Sequence, residues 1–263
     1  MISFDAKHSV NKLMFIKAMQ YPNQARPIEG APEGAWENEK FVLSSTLKEI
    51  EDSNDKNAVG LLNSLFLSST SHVLDKVCLN IFSKLGDEQS LELLHKKYPA
   101  PESISITLLP YYIRVLQYLG GEKEIELLAR IANTFWGLYR SEILAAMEEI
   151  NQCVGRLVVS ADVVRALQYL YDAGDESEKK KVLNLASCFT HQLLLSVILC
   201  GIESDIANVR KSAIAALGTY GGGTAYNAMR RAFQNESDES LFEDYETWMF
   251  QNGMTDHTPE SIP

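Results

Sequence analysis

A chain of 263 residues, 46% of them hydrophobic, has room for one large domain or two small ones and the composition of a soluble globular protein. Its formal charge of −11 is unevenly placed: no Lys or Arg follows Arg231, whereas Glu236, Asp238, Glu239, Glu243, Asp244, Glu246, Asp256 and Glu260 do, so the body is close to balanced. The body lacks the basic stripe of a nucleic-acid binder, and the longest apolar run, Leu193 to Ile202 with one serine in it, is too short to span a bilayer.

The elements are helical. No sustained apolar/polar alternation is bounded by tight-turn dipeptides, and Leu, Ala, Glu and Lys dominate the periodic segments. Asn11 to Gln20 carries Leu13, Met14, Ile16 and Met19 with lysines between them, which predicts a short amphipathic helix. Tyr21 to Trp36 then breaks all periodicity with Pro22, Pro27, Pro32, Gly30 and Gly34, an extended arm suited to capping the structure that follows. Helices are expected at Glu39 to Asp52, at Lys56 to Leu67, and in the stretch that ends at Leu85-Gly86-Asp87. Pro99 and Pro101 separate that stretch from the next, in which Ile106, Leu109, Ile113 and Leu116 lead to Leu119-Gly120, with Pro110 near the first turn. A partner helix runs from Glu122 to Thr134 with Ile125, Leu128, Ala129 and Ala132 inside.

Helical spacing continues from Leu138 to Ile150 and from Ala161 to Tyr171, with Cys153 to Ser160 ambiguous. The run from Asp175 to Lys181 places acids at a helix start and bases after them, and reads as a solvated face. Val182 to Phe189 and Leu193 to Ile202 follow as a pair. Asp205 to Gln234 is the most regular stretch. Ile206, Val209, Ala213, Ala216 and Leu217 form one buried face, Ser204 is placed as its cap, and Gly218 stands where a left-handed residue would end the helix. Thr224 is placed to cap a second helix whose buried stripe is Ala225, Ala228, Met229, Ala232 and Phe233. A last helix, Glu239 to Phe250, puts Leu241, Phe242, Tyr245, Trp248 and Met249 on one side, and Met254 to Pro263 reads as a loose tail.

The turns repeat. Val77 lies nine residues before Gly86 as Val209 lies nine before Gly218, and Gly86 to Gly120 is 34 residues, close to one helical-pair period. Val209-Arg210, Ala213, Ala216-Leu217-Gly218, Gly221 and Ala225, with Asp205 close to the usual acidic position, resemble the HEAT-like repeat of phycobilin lyases and many bacterial helical-repeat proteins. That resemblance implies an all-α chain, an α-α superhelix of antiparallel helix pairs whose second helices line a concave surface. It also implies that Arg210 is a structural partner to an acid in an adjacent turn. The second copy departs from the pattern, with Cys78 in place of Arg210. The expected organisation is an N-terminal helix and arm over 1–36, a solenoid over 37–252 and a tail over 253–263.

Chemistry is sparse. The histidines (His8, His72, His95, His191, His257) never come at metal-ligand spacing, and Cys78, Cys153, Cys188 and Cys200 make no CxxC pair, so no metal and no cofactor is expected and the cysteines read as free thiols packed in apolar runs. No nucleophile elbow, phosphate loop or dinucleotide fingerprint is present, and the Gly221 to Gly223 run follows a helix, where it makes a turn. Of the aromatics near the middle, Tyr111, Tyr112, Trp136 and Tyr139, most suit a core, although Trp136 lies at a helix junction.

With nothing catalytic visible, the reading is a non-catalytic protein-binding module using its concave face, cytoplasmic for want of a signal-peptide pattern. Its partner would be another protein, with no membrane contact and nucleic acid disfavoured. The binding residues would be Glu92, Lys96, Glu126, Arg130, Arg230 and Arg231 on second helices, together with Trp136, a mixed-charge face suited to a folded partner. The alternative is an enzyme on the same scaffold, on the model of a phycobilin lyase or a DNA glycosylase.

Overall fold

A computed structural model describes residues 50, 58–70, 72–135, 137–153, 159–189, 191–220 and 222–251. Among the described residues all regular structure is helical, in agreement with the all-α expectation. The proposed N-terminal helix, the Pro/Gly arm, nearly all of Glu39 to Asp52 and the tail lie outside the described residues, as does most of Cys153 to Ser160. The chain divides into two compact units, residues 1–120 and 121–263.

The first unit contains α1 (Val59–Ser68), α2 (His72–Leu85), α3 (Glu88–Lys97) and α4 (Leu109–Leu119). α1 packs on α3 and α2 on α4, so alternate helices form two layers. The Leu85-Gly86-Asp87 turn joins α2 to α3 as the repeat spacing predicts. A Cβ on Gly86 would lie 2.5 Å from the Phe82 carbonyl oxygen and 2.7 Å from Leu119 Cδ1, so glycine here permits the close approach of α4 to the end of α2. Asp87 then caps α3 by accepting from the Ser90 N–H at 2.9 Å, and Pro110 sits in the first turn of α4, where its missing N–H breaks no helical bond.

One charged cluster ties three of these helices together. Lys97 Nζ donates to Asp75 Oδ1 at 2.6 Å and to the carbonyls of Phe66 and Ser69 at 2.6 and 2.9 Å, while the Tyr98 hydroxyl donates to Asp75 Oδ2 at 2.7 Å. The ammonium satisfies carbonyls at the C-terminus of α1, where a cation is favoured. Cys78, one turn along from Asp75, is fully buried, and burial together with the Asp75 charge pushes its thiol up to about 12. It packs as the small hydrophobe expected, but Cys188 and Cys200 are exposed, because their helices turn those positions outward.

The second unit contains α5 (Glu122–Thr134), α6 (Arg140–Cys153), α7 (Ala161–Ala173), α8 (Glu176–Phe189), α9 (Leu195–Ile202), α10 (Ala207–Leu217), α11 (Gly222–Asn235) and α12 (Phe242–Gln251). α5, α7, α9 and α11 each pack on the next of that series, and α6, α8, α10 and α12 do the same, giving two layers of helices joined as successive antiparallel pairs. Of the expected buried stripes, Ile125, Leu128, Ala129 and Ala132 in α5, Val209, Ala213, Ala216 and Leu217 in α10, and Ala225 and Met229 in α11 are buried, whereas Ile206, Ala228, Ala232 and Phe233 are only half-buried. Tyr112 is core, while Tyr111 and Tyr139 are half-buried.

Three local expectations are corrected. The run from Asp175 to Lys181 is not wholly solvated: Glu178 is buried, forms a reciprocal cap with Asp175, and pairs with Arg140 of α6 at 3.1 Å. Neither Ser204 nor Thr224 caps its helix. Ser204 Oγ accepts from the Ile206 N–H at 3.3 Å in the turn before α10, and α11 begins two residues ahead of Thr224.

Gly218 is also misread by the left-handed rule. Its φ is −57°, ordinary helical backbone, and the chain continues through a further turn before Gly222 takes the positive φ of 78°. What Gly218 accommodates is Trp248, whose indole Nε1 would lie 3.0 Å from an added Cβ. Gly222 and Gly223 are both surrounded by open space, so they separate backbone strain from steric crowding. Gly222→Ala should lower stability by about 1 to 2 kcal/mol, the cost of an L-residue in the left-handed region, whereas Gly223→Ala should be neutral or raise stability by up to ~1 kcal/mol. Equal melting temperatures for the two variants would contradict this assignment of the turn.

Candidate functional site

Within the second unit the groups that could do chemistry gather where α9, α10, α11 and α12 meet. Arg210 stands in the first turn of α10 and Glu236 directly follows α11. The guanidinium grips the carboxylate with both forks: Nε donates to Oε2 and Nη2 to Oε1, each at 2.8 Å, while Nη1 donates to the Ser204 carbonyl at 2.9 Å. Glu236 Oε1 also accepts from the backbone N–H groups of Ser237 and Asp238 at 3.0 and 2.9 Å, and the Tyr245 hydroxyl of α12 donates to Oε2 at 3.4 Å. The side chains are 14% and 2% exposed. Arg210 thus has a structural acid partner, as the repeat resemblance implies, 26 residues on in the turn after α11.

These contacts set the ionisation of the group. Burial pushes the Glu236 carboxyl up, but the Arg210 donors and the backbone N–H groups outweigh it and hold the carboxyl below the ordinary glutamate range. Tyr245 is pushed up to about 12, by burial first and then by the Glu236 charge, so at neutral pH its hydroxyl keeps the proton that it donates to Glu236.

Beside this pair lies a cleft of ≈ 750 Å³. It lies between the C-terminal end of α9 and the exposed side of α11. Thr224, Asn227, Arg231 and Asn235 recur at helical spacing along α11, Leu199 and Ile202 give an apolar strip, and Glu203 and Asp205 come from the end of α9 and the turn after it. Arg231, Asn227, Glu203 and Asp205 make no side-chain hydrogen bond or ion pair among the described residues. The volume falls in the range of small-molecule sites, and several uncommitted polar groups share one cavity.

The expected binding residues fare unevenly. Glu92 and Lys96 are exposed on α3 in the first unit, Glu126 and Arg130 are exposed on α5, Arg230 and Arg231 are exposed on α11, and Trp136 lies outside the described residues. Of these only Arg231 lines the cleft; Arg230 is one step around the helix, and Glu126 borders a separate hollow of ≈ 330 Å³ between α5 and α7. The expectation missed Glu203, Asp205, Asn227 and Glu236. The polar stripe of α11 at 224, 227, 231 and 235 was a readable signal for the first wall, whereas the approach of α9 was not. Among the described residues no group of three His, Cys, Asp or Glu side chains could hold a metal ion; His191 Nδ1 accepts the Leu193 N–H at the start of a short turn, and His8 and His257 lie outside those residues. No described helix is long and apolar enough to cross a membrane.

No protein-family model matches the chain, and no curated protein matches it by sequence. Among solved structures it is similar to human deoxyhypusine hydroxylase in complex with glycerol, with 12% identity, a TM-score of 0.35, and coverage of 93% of this chain and 98% of that one. That protein is an enzyme, which runs against the expectation of a non-catalytic module binding through a concave face. Within this chain Glu203, Asp205, Asn227 and Arg231 share one cavity, whereas the other described charges assigned to a binding face, on α3, α5 and α11, lie outside it.

The Arg210–Glu236 pair makes a quantitative expectation possible. Arg210→Met leaves a buried carboxylate without its cation and should lower stability at pH 7 by about 3 to 5 kcal/mol in urea unfolding. Because the folded-state carboxyl is depressed, its stabilising effect is present above the unfolded glutamate range, near the ordinary value of 4.5, and is lost as pH falls through the folded value. The gap between wild type and Arg210→Met should therefore narrow on acidification. A gap independent of pH would show that the pair is not the source of the loss.

Proposed function

We propose that this chain is an enzyme built on a helical-repeat scaffold and that the cleft between α9 and α11 is its substrate site. The observation that supports this reading is the cleft itself, a cavity of ≈ 750 Å³ in which Arg231, Asn227, Glu203 and Asp205 are uncommitted. A substrate entering it meets a guanidinium and amides along α11 and two carboxylates from the α9 side, beside the apolar strip of Leu199 and Ile202. Either carboxylate can serve as a general base for a proton held within reach. The Arg210–Glu236–Tyr245 cluster contributes rigidity and no proton transfer, since each of its members is already engaged.

Of the two enzyme models that the HEAT-like resemblance brings, neither is matched by the lining. A bilin would need an extensive apolar and aromatic pocket, yet Leu199, Ile202 and Tyr245 are the large apolar residues present. A glycosylase would need a basic track for phosphates, yet Arg231 is the one cation of the cleft not already paired. A small polar substrate suits the cavity better than either.

The test is thermal-shift screening of the purified chain against a panel of small polar metabolites, followed by mass-spectrometric detection of turnover for any that stabilise it. The expected result is stabilisation by at least one compound, reduced at least tenfold in apparent affinity by Arg231→Glu. A chain stabilised by no compound of the panel, or equally stabilised with Arg231→Glu, would overturn the assignment of the site.

A further inference from the structure

The charges around the cleft specify the charges of what it binds, given the reading of the cleft as a substrate site. Arg210 is spent: its Nε and Nη2 go to Glu236 and its Nη1 goes to the Ser204 carbonyl. Glu236 is spent in turn on Arg210 and on two backbone N–H groups. What remains open is one cation, Arg231, on α11, and two carboxylates, Glu203 and Asp205, from the α9 side, with the Asn227 amide between neutral donor and acceptor roles. The open charges are one positive against two negative.

From this count we infer that the cleft takes a free amino acid with a cationic side chain. Its carboxylate lies against the Arg231 guanidinium, its two ammonium or guanidinium groups lie against Glu203 and Asp205, and its methylenes lie along Leu199 and Ile202. Each alternative leaves a charge facing nothing or facing its like. A neutral zwitterion leaves one carboxylate unmatched, a polyamine sets a cation against Arg231, and a phosphate or dicarboxylate meets an excess of negative charge. An apolar strip beside charged walls suits a chain of methylenes with charges at its ends, since the stem is buried while the heads are paired.

The experiment is isothermal titration of the full chain at low salt with ornithine, set against norvaline, which lacks the side-chain amine, putrescine, which lacks the carboxylate, and glutamate. Ornithine should bind at least tenfold more tightly than each comparator. Arg231→Gln should abolish its advantage over putrescine while leaving the advantage over norvaline, and Glu203→Gln with Asp205→Asn should do the reverse. Circular dichroism should report unchanged helicity in both variants, since all three side chains are exposed. Comparable affinity for ornithine and norvaline, or an advantage that survives both variants, would overturn the inference. If another small molecule binds in an Arg231-dependent way while ornithine shows no advantage, the inference falls and the cleft stands. If no small molecule binds, both fall together.

Discussion

No described helix in this chain exceeds 14 residues, and that shortness constrains everything else. Isolated helices become marginal in water below roughly 12 to 15 residues, so each one here holds its shape only by burying a stripe against neighbours on two sides. Within each unit this is met by alternation, every helix packing on the next but one as well as on its immediate partner. The interior is built from Leu, Ile, Val and Ala side chains that are almost wholly withdrawn from water. Stability in such a stack is close to a sum of neighbour terms, which makes the junctions between pairs the places where specificity must be added.

That specificity is supplied by ionic contacts to buried carboxylates, each with different residues. Asp75 with Lys97 ties α1, α2 and α3; Arg140 with Glu178 ties α6 to α8; Arg210 with Glu236 ties α10 to the segment after α11. In every case the carboxylate also accepts another donor, from a hydroxyl or a backbone N–H, so that both of its oxygens are engaged. Apolar packing alone would let one helix slide by a turn against another at small cost, whereas a bidentate guanidinium in a fixed fork would not. The same Arg210 that holds the last pairs in register forms the floor of the cleft, so the site rests on a part of the fold with little freedom to shift.

Much of the fold was legible in the residues. The Leu-Gly turns at Gly86 and Gly120, the proline at the start of α4, and the bounds of α5 at Glu122 and Thr134 all follow from spacing and backbone chemistry that act locally. Where local rules failed, a distant residue had changed the meaning of a near one. Gly218 has the sequence context of a left-handed cap but makes room for Trp248, thirty residues along. Glu178 sits in a run that looks solvated, yet Arg140 and Ser141 of α6 reach it. The candidate site was harder still, because its walls come from two helices in the same layer with a third helix between them in sequence. Arg231 was visible as an exposed cation at the end of a helix; that Glu203 and Asp205 share its cavity follows only from packing.

The cysteines give the chain a built-in chemical clock. Cys78 lies at zero exposure with its thiol pushed up to about 12, so in the folded state it offers almost no thiolate to an alkylating reagent, while Cys188 and Cys200 stand at the surface of the second unit. The rate at which Cys78 is captured therefore measures how often the core of the first unit opens. Peptide mapping of the modified chain separates that rate from the surface reaction, and no residue has to be changed to read it.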